Sequence, residues 1–141
     1  MPEPHNNPPM FDTVYMKKLL LRSVYLLLLS GAVNAAPAPP LQTRAEVVHL
    51  LEFVQLSDCQ FNRNDTWYSG KDARRHLEKK YDYLAKRGLI GKAEDFIERA
   101  AKESSLSGRA YQIRCRDGKT KSSAEWLSEE LQRYRKHKNS K

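Results

Sequence analysis

Four polar side chains with binding chemistry recur at helical spacing between residues 76 and 87. They follow one another at intervals of four, three and four residues, as His76, Lys80, Tyr83 and Arg87. This spacing places the set on one side of a helix. Three potential cations and a phenol can bind a phosphate or a carboxylate, with arginine able to pair in bidentate fashion. The alternative is that long basic side chains only flank a buried stripe and lay their stems on apolar surface.

A serine-rich segment, "SSLSG" at residues 104–108, is the second candidate. Ser105 and Ser107, with Arg114 further along the chain, could form an anion-binding nest. The same loop could supply a serine nucleophile to His76 as a base, in a small hydrolase. The chain lacks a G-x-S-x-G elbow, and no carboxylate is identified to orient His76. We therefore predict no catalytic residues and expect ligand binding, with Arg63 and Arg114 also suited to hydrogen bonds with turn carbonyls.

The two cysteines, Cys59 and Cys115, admit three roles. A metal site would need further ligands at short spacing, and neither C-x-x-C nor H-x-x-x-H occurs, so no metal is expected. A catalytic thiol would need a nearby base and protection from oxidation. In an oxidising compartment the pair would form a disulfide that closes a loop of about 57 residues, worth roughly 4 kcal/mol. The disulfide is the favoured interpretation.

The compartment is indicated by residues 16–35, "MKKLLLRSVYLLLLSGAVNA". A short basic start, a leucine-rich run and small residues at the end are typical of a secretory signal peptide, here of bacterial type and cleaved after Ala35. The apolar run is interrupted by Arg22 and falls short of the roughly 20 residues that span a bilayer, so no stable membrane span is expected. Residues 1–15 are interpreted as an upstream extension or a mis-chosen start codon.

The helices and strands that position these side chains can be predicted from hydrophobic periodicity and helix-capping residues. Thr43 and Glu46 form a capping box for a first helix that ends near Ser57, and His49 is expected on its exposed face. A hairpin spans Cys59–Tyr68, and a second helix begins after Ser69 and ends at Gly88. The remaining elements are a short helix over 93–100, a strand over 109–115 followed by an Asp117-Gly118 turn, and a last helix that begins at Ser122.

These elements predict a single α+β domain over residues 43–136 that is mostly helical. It should contain about four helices and a small antiparallel sheet, a hairpin plus one strand, cross-linked by one disulfide. Residues 36–42, "APAPPLQ", are expected to form a Pro-rich linker and residues 137–141 a basic tail. We expect a monomer.

Several segments together resemble one known group of proteins. They are "SDCQFNRN", "HLEKKYDYLAKRG", "AEDFIERAA", "SSLSG" and "YQIRC" followed by "WL", and they cover about residues 46–135. This set resembles the YfeK-like family, small exported proteobacterial proteins of unknown function. The resemblance implies a periplasmic location, a single domain, a paired Cys59 and Cys115, and no assigned activity.

The formal net charge of +8 favours acidic partners. Export makes nucleic acid improbable, which leaves an anionic cell-envelope component or an acidic protein as the expected partner. Two alternatives to such a binding module stay open. One is the hydrolase that uses His76 and the 104–108 loop; the other is a structural accessory protein whose partner surface is the hairpin around Trp67 and Tyr68. No cofactor is expected.

Overall fold

The computed structural model describes residues 35–140. Helix α1 (Leu41–Leu56) precedes the hairpin of β1 (Gln60–Arg63) and β2 (Thr66–Ser69), which runs directly into α2 (Gly70–Ala85). The short α3 (Ala93–Phe96) continues as a π-helical turn (Ile97–Ala101), and β3 (Gln112–Arg114), β4 (Thr120–Ser122) and α4 (Ser123–Asn139) complete the chain. The predicted class, four helices with a small antiparallel sheet, is confirmed.

The sheet has the strand order β2-β1-β3-β4, and every pair is antiparallel. Asn64 and Asp65 form the two-residue turn of the hairpin with φ of 52° and 65°, the conformation of a type I′ turn. Strand β4 was not predicted, because "TKS" is polar throughout and pairs only with its neighbour β3. The sheet therefore has four strands rather than the expected three.

Two of the predicted helix starts are confirmed by their caps. The hydroxyl of Ser69 accepts from the backbone N–H of Asp72, and that of Ser122 accepts from Glu125. Gly88, with φ of 69°, lies just beyond α2, where the N–H of Leu89 donates to the carbonyl of Leu84. This is the expected left-handed end of that helix.

The capping box predicted at Thr43 and Glu46 is wrong. Helix α1 begins at Leu41 after Pro40, so both residues lie within the first turns and are buried. The Thr43 hydroxyl donates to the carbonyl of Gly91 at 2.9 Å. Glu46 accepts two hydrogen bonds from Arg135 at 2.8 Å each. Tertiary partners satisfy these side chains instead of the helix terminus.

The core lies between the helices and one face of the sheet. Helix α1 contributes Val47, Leu50, Leu51 and Val54, and the largest enclosed side chain is Phe96. Gly70 allows α2 to approach α1 closely, since a Cβ at this position would lie 2.3 Å from the carbonyl oxygen of Val54. This contact sets the position of α2, the helix that carries the predicted binding stripe.

His49 departs from the prediction of an exposed polar residue. Its Nε2 is 2.6 Å from Glu130 Oε1, and its ring stacks on Tyr134 at a centroid distance of 4.0 Å. Helix α4 packs beside α1 and covers this side chain. The sequence pattern of α1 alone cannot indicate that contact. The last helix also extends through Asn139, so part of the segment predicted as a basic tail is helical.

The predicted disulfide is confirmed, because Cys59 and Cys115 are bonded just before β1 and just after β3. No helix within residues 35–140 is both long and apolar enough to cross a bilayer. The signal peptide predicted over residues 16–35 and the extension over residues 1–15 fall, but for Ala35, outside the described residues.

Candidate functional site

Two adjoining cavities follow helix α2 and together form what we call the groove. The hairpin lobe, of about 440 Å³, lies between α2 and the β1–β2 hairpin. The loop lobe, of about 220 Å³, lies between α2 and the segment that follows the π-helical turn. His76 and Lys79 line both lobes. The side chains of one face of α2 therefore line both cavities.

Four of the seven predicted binding residues meet in the loop lobe, namely His76, Lys80, Tyr83 and Ser105. Arg87 lies one turn beyond, where its guanidinium stacks on the Tyr83 ring at 4.1 Å. Ser107 and Arg114 lie elsewhere. The Ser107 hydroxyl donates to the Asn64 side chain at 2.6 Å, at the tip of the hairpin.

Arg114 projects from the opposite face of the sheet. Its guanidinium is 4.2 Å from the centroid of the Trp67 ring, and its Nη2 donates to Gln60 Oε1 at 3.0 Å. The expected hydrogen bonds from Arg63 and Arg114 to turn carbonyls are absent from residues 35–140, because both side chains contact other side chains instead. Trp67 and Tyr68 also point to opposite faces, as neighbours on a strand must. They do not form one surface.

His76 is the centre of a polar network that joins three elements. Arg63 Nη1 is 2.7 Å from His76 Nδ1, and His76 Nε2 is 3.1 Å from the Tyr111 hydroxyl. A guanidinium can only donate, so Nδ1 is the acceptor and the ring proton is on Nε2, facing Tyr111. This arrangement requires the neutral imidazole.

The pKa of His76 agrees with that requirement. Burial of the ring, and then the positive charges of Arg63, Lys80 and Lys79, lower this pKa from 6.5 to about 4. No carboxylate contributes to the shift, since the charged groups around the ring are all cations. His76 is therefore uncharged at neutral pH, and the groove receives its positive charge from arginine and lysine alone.

Lys80 lines the loop lobe and Tyr111 lines the hairpin lobe. Lys80 Nζ donates to the carbonyl of Glu103 at 3.1 Å and lies 5.2 Å from the centroid of the Tyr111 ring. Burial lowers the pKa of the Lys80 ammonium and raises that of the Tyr111 phenol. Lys80 thus fixes the 103–110 loop against α2, and Ser105 is positioned in the loop lobe as a result.

The hydrolase alternative needs a loop serine within hydrogen-bond reach of His76. Among residues 35–140 the ring hydrogen-bonds only to Arg63 and Tyr111. Ser104 is buried, and its hydroxyl accepts from the backbone N–H of Ser107 at 3.5 Å. An imidazole with a pKa of about 4 is also a weak base near neutral pH. In this geometry His76 is a hydrogen-bonding component of the wall.

The cations of the groove outnumber its acids. Five cations line the two lobes, namely Arg63, Arg75, Lys79, Lys80 and Arg99, against a single acid, Asp72. Asp72 binds Arg75 at 2.7 Å. Within residues 35–140 the other four cations of the lining form no ion pair. The acids of the described lining therefore do not balance its positive charge.

Inspection of the sequence did not identify Arg63, Tyr68, Lys79, Arg99 and Tyr111 as site residues. The sequence carried a signal for three of them. A two-residue turn at Asn64-Asp65 pairs Arg63 with Thr66 and places Arg63 and Tyr68 on one face, where the guanidinium is 5.2 Å from the Tyr68 ring. Lys79 follows His76 by three residues, which is also a helix neighbour. Arg99 and Tyr111 come from distant elements.

Comparison with known proteins gave one match. The model of a family described as a family of unknown function (DUF5329) matches residues 41–135, from the first residue of α1 into the last turns of α4. No curated protein matches the chain, and no solved structure matches it.

Proposed function

Since this chain belongs to the family of unknown function DUF5329, whose description assigns no activity, we propose its function from the groove. The protein is a binding module for an anionic component of the cell envelope, and the groove along α2 is its binding site. The observation that carries this proposal is the cluster of Arg63, Lys79 and Arg99, three cations without an acidic partner in the described structure, around a neutral histidine.

The groove supplies both features that an anion site needs, a cavity of suitable size and a cation held in a fixed position. Its volume in the hairpin lobe, about 440 Å³, is that of a typical small-molecule pocket. Phe61, Leu77 and Tyr111 contribute apolar lining, and a charge beside apolar groups is attracted more strongly than one surrounded by water. Arg63 is held in place by His76 and Tyr68, so little side-chain entropy is lost when an anion binds.

Export supports an envelope ligand. The disulfide fits an oxidising compartment. The leader predicted over residues 16–35 and the resemblance to the YfeK-like family both favour the periplasm of a proteobacterium, where anionic polymers and lipid phosphates are abundant. We propose that the module acts there as a monomer. An acidic protein is the second class of partner that the same charge would attract.

Co-sedimentation tests the proposal with two charge-matched variants. The groove variant carries Arg63→Gln, Lys79→Gln and Arg99→Gln. The control variant carries Lys71→Gln, Lys119→Gln and Lys136→Gln, three exposed lysines outside the groove lining. Circular dichroism confirms that both variants fold. Each is mixed with cell-wall sacculi and with lipopolysaccharide-containing vesicles, in low and in high salt.

We expect the wild type and the control variant to pellet at low salt and the groove variant to stay in solution. High salt should release the bound protein, since charges more than about 10 Å apart are screened near 0.1 M. Equal pelleting of the two variants would mean that net charge alone is responsible, which refutes a groove site. If nothing pellets, the envelope ligand is refuted, and acidic proteins become the class to test.

A further inference from the structure

We infer that the ligand of the groove is an elongated molecule with two anionic groups, one bound in each lobe. This inference rests on the proposed function, because it specifies the shape of the ligand that the same site would take. It follows from the two lining residues that the lobes share, the distribution of cations between the lobes and their spacing along α2.

The two lobes are neighbours along α2 because they share two lining residues. His76 and Lys79 line both of them. On this helix the lining extends from Asp72 in the hairpin lobe to Leu84 in the loop lobe. At 1.5 Å per residue the groove is about 18 Å long. A single small anion would occupy only a fraction of that length.

Each lobe has cations of its own. Arg63 and Arg75 line only the hairpin lobe, and Lys80 and Arg99 line only the loop lobe, while Lys79 reaches both. The α2 residues of the two lobes are centred about five positions apart, which corresponds to about 7 Å along the helix axis. Two acidic groups at that separation would each lie beside a cation that belongs to one lobe only, Arg63 in the hairpin lobe and Arg99 in the loop lobe.

The surface where the two lobes adjoin carries a cation and no acid. His76 and Lys79 line both lobes, and the neutral ring of His76 adds no charge there. The only acid of the described lining, Asp72, lies at the far end of the hairpin lobe and is bound by Arg75. An elongated ligand with one acidic group in each lobe therefore meets no unpaired carboxylate along α2.

Two anchors on one molecule bind more tightly than one, because the second contact is intramolecular once the first has formed. The gain depends on length, since a linker that is too short cannot reach the second lobe and one that is too long loses effective concentration. A chain-length optimum is therefore the signature that separates a two-anion ligand from a single anion held anywhere in the groove.

The test measures the affinity of the purified protein for succinate, adipate, suberate and sebacate by calorimetry at low salt, with hexanoate as the single-anion control. We expect adipate or suberate to bind at least tenfold more tightly than hexanoate. Arg99→Gln should reduce the best diacid to the affinity of hexanoate. Lys119→Gln, which removes a charge outside the groove, should leave the preference intact.

Equal affinity for hexanoate and all diacids would overturn the two-anion ligand and leave the proposed function standing. Binding of sacculi or vesicles through the groove, with no binding of any diacid, would likewise overturn the two-anion ligand and leave the proposed function standing. If neither the small anions nor the envelope preparations bind, the proposed function fails as well. A length optimum that survives Arg99→Gln would place the second anion elsewhere and would also overturn this inference.

Discussion

Titration of His76 should make the stability of the fold depend on pH. The folded-state pKa of about 4 lies below the ordinary value of 6.5, so the unfolded chain binds more protons between these two values. The free energy of unfolding must then fall as the pH decreases from 6.5 toward 4. If the whole pKa shift acts on stability, the free energy of unfolding falls by about 2 kcal/mol between about pH 7 and about pH 5. Solvent reaches part of the ring and screens the charges, so we expect about 1 kcal/mol.

The measurement is urea unfolding followed by the fluorescence of the tryptophans, one of which, Trp126, is buried in the core. The comparison is with His76→Gln, which keeps hydrogen-bonding groups and does not titrate. Glu46 and Glu94 do not complicate the comparison above pH 5. Their pKa values are lowered, so their stabilising contribution is lost only in more acidic solution. Equal losses of stability in the two proteins would refute the assignment of a neutral, cation-surrounded His76.

Three further changes test the packing of the fold. Gly70→Ala places a Cβ against the α1 backbone and should lower the free energy of unfolding by about 2 kcal/mol, whereas Gly91→Ala, which has room, should change it little; urea midpoints distinguish them. Replacement of both disulfide cysteines by alanine should cost about 2–4 kcal/mol and remove the effect of reductant on the midpoint. Arg135→Met leaves Glu46 buried without its cation and should cost about 2–3 kcal/mol at neutral pH. That deficit should shrink in acid, where Glu46 is protonated; a deficit that is constant with pH would contradict the ion pair.

Local sequence patterns were sufficient to predict α2 and the side of that helix that carries the candidate binding residues. Ser69 and Gly88 delimit the helix in the sequence, and the spacing of His76, Lys80 and Tyr83 predicts that they share one side. The structure brings these three residues into one lobe. The helical period alone places these three side chains on the same side of α2.

The partners of that face could not be read from the same patterns. Arg63 reaches His76 because the hairpin folds back over α2, and Tyr111 joins them from the position before β3, 35 residues after His76 in the chain. The false capping box has the same origin. Thr43 and Glu46 have the spacing of a cap, yet both are buried against Gly91 and Arg135, contacts that only the tertiary fold supplies.

The pairing of β1 with β3 also determines the order in which the molecule can assemble. The β1–β2 hairpin closes over two residues and can form within microseconds, whereas β3 must find β1 across a long loop. The cysteines that flank this pairing are separated by 56 positions, so a chain that is already oxidised has closed the long loop before the strands align. Tyr111 immediately precedes β3 and reaches the hairpin lobe together with that strand. The lining of this lobe is therefore completed by the slow, non-local step of folding, and the oxidised chain should reach its binding-competent form sooner than the reduced one.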